Sequence, residues 1–343
     1  MRTTADIPYE PLFAELSPNE EVRSRLEQFR GAKSNFEDRC ERESSSHQRW
    51  YKVTTLLAGV FGTLAVMLAI VQLSGRFHWE VFFVGEVIAV VVALLAVGFG
   101  VIAAQHHSWL LHRHKAERCH FVYWKLLIDP RLWDRRHPDV QRDLVQRAID
   151  ELATIDTKDY KFQHWLEEAE PPALPPRSEV PPPSSLRDLY LTHRLDHQRD
   201  YFARTLAKNA RLQRWTHPVA LVAFLLSVGA ALAHFLIDIG CHLVHDEEAL
   251  VCQAHTTFNF GLLMAAAQIP VLAGLVRIIR GAFEPARNLA RYDANRGVLA
   301  KLSKRLRGAS ADDLPGELWL GEHLLESEHR EWLLLMMEAE WFG

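Results

Sequence analysis

The chain has 343 residues, of which 48% are hydrophobic and 24% charged, with a formal net charge of −4. Its 39 Lys and Arg residues are offset by 43 Asp and Glu residues, with both signs mixed along the same stretches. No basic surface singles out a nucleic-acid partner, and that class is excluded. The average composition hides four long apolar runs, which organise everything else.

Residues 1–18 hold Pro8, Pro11 and Pro18 with little periodicity and read as an arm. A helix is expected from about Asn19, its N-cap, to Trp50, with Val22, Leu26, Phe29, Ala32 and Phe36 on one apolar stripe. The first two apolar runs follow at 53–73 and 81–104. About twenty such residues cross a hydrocarbon core of about 30 Å. The first run lies too far into the chain for a signal peptide and is expected to be a retained anchor. The next helix carries Leu110, Leu111, Phe121, Trp124, Leu127 and Ile128, and is the expected antiparallel mate of the first.

Pro138 opens a helix with Val140, Leu144, Val145, Ala148, Ile149 and Leu152 on one face. Seven prolines within 171–185 then favour an extended linker. The second half repeats the plan: a charged helix over 186–215, apolar runs at 218–237 and 258–276, and a charged exit over 277–307. Gln48-Arg49-Trp50 reappears as Gln213-Arg214-Trp215, by duplication or by convergence on the interfacial chemistry that favours Arg and Trp beside a membrane. The last segment sets Leu318, Leu320, Leu324, Leu325, Trp332, Leu335, Met336 and Trp341 among glutamates, as one or two amphipathic helices on the stalks or as a surface for another subunit.

The expected fold is an all-α integral membrane protein, with four transmembrane helices as two parallel-repeat hairpins on long cytoplasmic helical stalks. Its parts are the arm (1–18), a first stalk and hairpin (19–137), a cytoplasmic helical insert (138–170), the Pro-rich linker (171–185), a second stalk and hairpin (186–308) and C-terminal amphipathic helices (309–343). Lys and Arg flank the outer ends of the hairpins, whereas the first tip holds only Arg76 and the second neither type. The positive-inside rule then puts both termini on the cytoplasmic side of the membrane.

Three polar residues interrupt the spans. Glu86 is either a pore-lining carboxylate or half of a structural pair with Arg76 or His78. His234 and Gln268 are the others, and Pro270 denies an N–H to the carbonyl of Ala266, which predicts a kink. Small residues such as Gly85, Ala89, Ala93 and Ala96 read as close-packing faces or as a pore lining. Cys241 and Cys252 share the second tip with His242, His245 and His255, and a disulfide is expected there, with zinc the other option. His106, His107, His112, His114 and His120 lie just beyond the second span, with His193 and His197 the nearest second group, too few clusters for a di-iron enzyme. No nucleotide loop, nucleophile elbow or HExxH motif is present, so no catalytic residue, cofactor or metal is assigned.

The stretch Tyr190-Leu-Thr-His-Arg194-Leu195-Asp196-His-Gln198-Arg-Asp-Tyr201, running through Ala207-Lys208-Asn209 into the second hairpin, resembles the bacterial SLATT family, the SMODS- and SLOG-associating two-transmembrane effector domains. Lys115-Ala116-Glu117-Arg118 followed by Tyr123-Trp124 is similar to the stretch after that family's hairpin. The resemblance implies a homo-oligomeric, pore-forming effector of antiviral conflict systems, set off by a nucleotide signal or a separate nucleotide-sensing protein. Its alternative is a non-conducting scaffold in the lipid bilayer that recruits a cytoplasmic partner.

Overall fold

The computed structural model describes residues 20–73, 79–158, 160–167, 180, 183–243, 250–283 and 285–338. The elements are helices: α1 (Glu20–Leu73), α2 (Trp79–Ile102), α3 (Gln105–Ile128), a 3₁₀ turn (Pro130–Trp133), α4 (Pro138–Asp156), α5 (Phe162–Glu167), α6 (Ser184–Tyr190), a π-helical stretch (Leu191–Asp196), α7 (His197–Leu243), α8 (Leu250–Phe283), α9 (Pro285–Gly308) and α10 (Leu314–Glu338). Among the described residues there is no strand. Four of these helical stretches are long and apolar enough to cross a membrane. This is a membrane protein of all-helical class, as expected from the four runs.

The described residues form two compact units: one within 20–49, 105–206 and 290–338, the other within 50–104 and 207–289. The first holds the main buried hydrophobic core and the second the apolar runs. The α2–α3 break falls at the division, where Ala104 adopts φ 43°. Ala104 N–H donates to Val101 O there, ending α2 in the left-handed conformation that usually calls for glycine.

In the first unit, α3 is the central element and is buried almost all round over its C-terminal half. Helix α1 runs antiparallel to it. The Phe29 and Tyr123 rings stack at 6.3 Å, the Cys119 thiol points to Lys33 O, and His47 bonds Gln105 at 2.7 Å. The α1 stripe contains Val22, Leu26, Phe29 and Phe36 as expected, but its next member is Lys33, only 3% exposed, while Ala32 faces outward. A lysine replaces alanine on the buried face because Glu37, one turn on, bonds its ammonium at 2.6 Å. A paired charge is tolerated where an unpaired one is not.

Helix α4 seals another side of α3 with Val145, Ala148, Leu152 and Ile155, although the expected Val140 is exposed. Its entry is set by Gln141, whose Nε2 donates to Leu132 O at 2.7 Å. The C-terminal segment is a single helix over its described residues. Leu314, Leu318, Glu322, Leu325, His329 and Leu333 form one buried stripe on α10, so this helix belongs to the core of its unit rather than to its surface.

Candidate functional site

Within the apolar unit, Glu86 and His234 each lie where two antiparallel helices meet. Glu86 on α2 is half-buried and its Oε2 accepts from Gln72 Nε2 of α1 at 2.6 Å. Farther along the same pair, Trp50 and Phe99 make an edge-on contact at 5.8 Å. The partner of Glu86 is thus Gln72, which sequence reasoning missed. The expected partners, Arg76 and His78, lie outside the described residues. A signal existed, since Gln72 is the only amide in the first run, but pairing it with Glu86 needs the register of the two helices.

His234 on α7 meets Asn259 on α8 through Nδ1 and Oδ1, so Nδ1–H donates to the amide oxygen. Seven residues before His234, Ser227 Oγ donates to Ala266 O at 2.8 Å. That carbonyl is the one Pro270 leaves without an intrahelical partner. Helix α8 continues through Pro270 because a hydroxyl on the neighbouring helix takes over the missing bond. Ser227, a small residue in the third apolar run, supplies that hydrogen bond. Gln268, two residues after Ala266, is half-buried.

Some of the small residues lie against a neighbouring helix. A Cβ on Gly59 would meet Leu275 and Ile278 of α8 at 3.3 Å, and one on Gly85 would meet Leu68 at 3.4 Å. Ala65, Ala89 and Ala96 are buried. The outward residues are large and apolar, including Phe224, Leu225, Leu232, Phe235 and Leu236 on α7, all exposed within the chain. The side chains of Cys241 and Cys252, and of the tip histidines, lie outside the described residues.

The histidines after the second span do not gather around one point. His112 Nδ1 lies 2.8 Å from Glu43 Oε2 and its ring stacks on His47, while His120 faces Glu37 at 3.0 Å. His114 is fully buried, with Nδ1 3.1 Å from His329 Nε2 and Nε2 3.1 Å from Tyr160 Oη. The Trp165 ring packs on both imidazoles, and Arg118 and Arg330 lie over Trp165. Burial holds both histidines neutral: that of His114 is pushed well below the ordinary value, and His329 falls to about 4, with Arg113, Arg118 and Arg291 adding to burial against the pull of Glu117.

The stretch singled out by its resemblance is core. Tyr190 Oη donates to Glu322 Oε1 at 2.9 Å, and Arg194 straddles the same carboxylate, Nε to Oε1 at 2.9 Å and Nη2 to Oε2 at 3.0 Å. Arg194 sits in the π-helical stretch and packs over Phe121 of α3. Next to it on α7, Phe202 stacks with Tyr292 of α9 at 5.5 Å. Glu322 thus ties α10 to the segment before α7. Without this contact Glu322 would be an ordinary heptad-like glutamate, and the sequence offered no hint of its burial.

No family model, no curated protein and no solved structure matches this chain.

Losing the Ser227 hydroxyl leaves Ala266 O unbonded in a setting without water. Ser227→Ala is expected to destabilise the apolar unit by about 0.5–1.5 kcal/mol. Comparing thermal unfolding in detergent with that of Ser227→Thr, which restores a hydroxyl, checks this.

Proposed function

We propose that the protein is an oligomeric membrane channel or pore-forming effector, gated through its water-soluble helices. The observation that carries the reading is the contrast between the two sides of the spans. Their inner contacts are filled by small residues and by the pairs Glu86–Gln72 and His234–Asn259, while large apolar side chains line the outer side. Four spans with side chains filling the middle leave little room for ions, so conduction calls for several protomers around a shared axis.

The resemblance to the SLATT family supports an effector of bacterial conflict systems, in which two hairpin units share one bilayer and both termini face the cytoplasm. The trigger is then a nucleotide signal or a separate nucleotide-sensing protein acting on the helices outside the membrane. Glu86 is the carboxylate through which such a pore would prefer cations. Glu86→Gln is expected to lower cation-over-anion preference several-fold while leaving the protein folded, since glutamine still bonds Gln72. Reversal potentials in planar bilayers measure it.

A second reading has its own support. Glu86 and His234 already have partners within the chain, which suits a non-conducting scaffold that recruits a cytoplasmic protein. Ion flux into liposomes, beside the mass of the detergent-solubilised particle, separates the two. Flux from an oligomer favours the channel; a monomer or dimer that stays silent with candidate nucleotides present favours the scaffold.

A further inference from the structure

The α1–α3 contact contains a group of side chains that the channel reading does not use. Glu37 and Glu41, one turn apart on α1, face His120 on α3, and the ligating atoms of the three all lie within 4.8 Å of one another. Glu37 is 4% exposed, and its two oxygens are treated differently. Oε2 takes the Lys33 ammonium at 2.6 Å, and Oε1 faces His120 Nε2 at 3.0 Å. Among the described residues, no hydrogen-bond donor and no cation at ion-pair distance reaches the Glu41 carboxylate, although that side chain is partly buried. Two acids and an imidazole thus converge, with one acid left over.

We propose that Glu37 Oε1, Glu41 and His120 Nε2 bind a divalent zinc ion that staples α1 to α3. Three protein ligands of this type leave the fourth position of a tetrahedral zinc to water. The 3.0 Å between Glu37 Oε1 and His120 Nε2 is close to the edge of a tetrahedron with bonds of about 2.0–2.1 Å. The ion would replace the proton those two atoms now share. Drawing in Glu41 needs a side-chain shift of roughly 1–2 Å, which a partly exposed glutamate makes by a rotamer change. Lys33 need not leave. It holds the other oxygen of Glu37 and fixes the carboxylate as a single-oxygen ligand, the role that outer hydrogen bonds play at protein metal sites.

Charge and chemistry choose the ion. An imidazole donor suits zinc and the other later first-row metals and is a poor ligand for magnesium or calcium, which take oxygen throughout. The Glu41 carboxylate is partly buried beside that of Glu37, and two neighbouring carboxylates suit a divalent cation.

The test uses the full chain in detergent, carrying Cys241→Ser and Cys252→Ser so that the second tip contributes no thiolate. Zinc chloride is added, excess is removed by gel filtration, and bound zinc is counted by atomic absorption. A competing chelator gives the affinity. We expect one tightly held zinc per chain, at least tenfold weaker binding in Glu41→Gln, a rise in melting temperature with zinc that this variant loses, and no such rise with magnesium. Glu41→Gln decides the matter because its partly exposed position leaves folding intact, and His120→Gln is a second removal wherever circular dichroism shows it folded. Zinc absent from the parent chain, or held equally well by Glu41→Gln, overturns the proposal. Neither result bears on conduction, so the staple and the channel stand or fall separately.

Discussion

Replacing Glu322 with alanine is expected to destabilise the helical unit by about 3–5 kcal/mol, the largest effect of any single side chain outside the spans. The carboxylate is 1% exposed and accepts three hydrogen bonds, two from Arg194 and one from Tyr190. Its removal leaves a buried guanidinium, packed over the face of Phe121, without the carboxylate that bonds it. Removing one member of a buried pair costs far more than the pair contributes, because the survivor keeps its desolvation penalty without its partner. Replacing both by apolar residues, as in Arg194→Met with Glu322→Met, is therefore expected to recover most of the loss. Helicity followed by circular dichroism against denaturant measures all three. Equal instability of the single and double variants would show that packing, not charge, is what the site supplies. Gly321 belongs to the same lock, since a Cβ there would come within 2.6 Å of Tyr190 Oη, an oxygen that Glu322 holds in place.

Lowering the pH from 6.5 to about 4 is expected to cost the same unit stability through His329 and His114. Burial is the main cause for both, and it brings His329 down from 6.5 to about 4. The folded protein keeps these rings neutral, while the unfolded chain takes up protons as the pH falls through 6.5. Where the unfolded state binds more protons, stability falls with pH. The contribution is thus whole above pH 6.5 and lost by about pH 4, on the order of 3 kcal/mol for His329. Below that, Glu117 extends the loss: burial pushes its carboxyl up, but Arg113 and His120 outweigh burial and bring it to about 2. His329→Gln is expected to flatten the slope between pH 6.5 and 4 while leaving the fall below pH 4. Melting temperatures of both proteins over that range test it, and parallel curves would remove the histidine pair from the account.

Neither lock was legible in the sequence. Glu322 and His329 stand among eight acidic or histidine residues of α10, and only the stripe Leu314, Leu318, Leu325, Leu333 marks which face is buried. The two polar residues occupy stripe positions, where periodicity alone predicts leucine. Lys33 taught the same lesson on α1, where hydrophobicity pointed to Ala32 and the partner one turn away decided for lysine.

The intramembrane residues divide in the same manner. Glu86, His234 and Gln268 were identifiable because charge or amide groups are rare in long apolar runs. The pairing of Gln72 with Glu86, and the roles of Asn259 and the Ser227 hydroxyl, were not, because each matters only through the helix it faces. The break in backbone bonding at Pro270 followed from proline's missing N–H, but the continuity of α8 depends on a donor thirty-nine residues away.

The sequence by itself determined that this chain is helical and that four of its helices suit a bilayer, because both follow from local rules: period, length and the absence of charge. The tertiary structure decided which polar groups are buried and with whom. The strength of an ion pair or a hydrogen bond depends on the dielectric around it and on a partner distant in the chain, and neither quantity is a property of a residue's own neighbours in sequence.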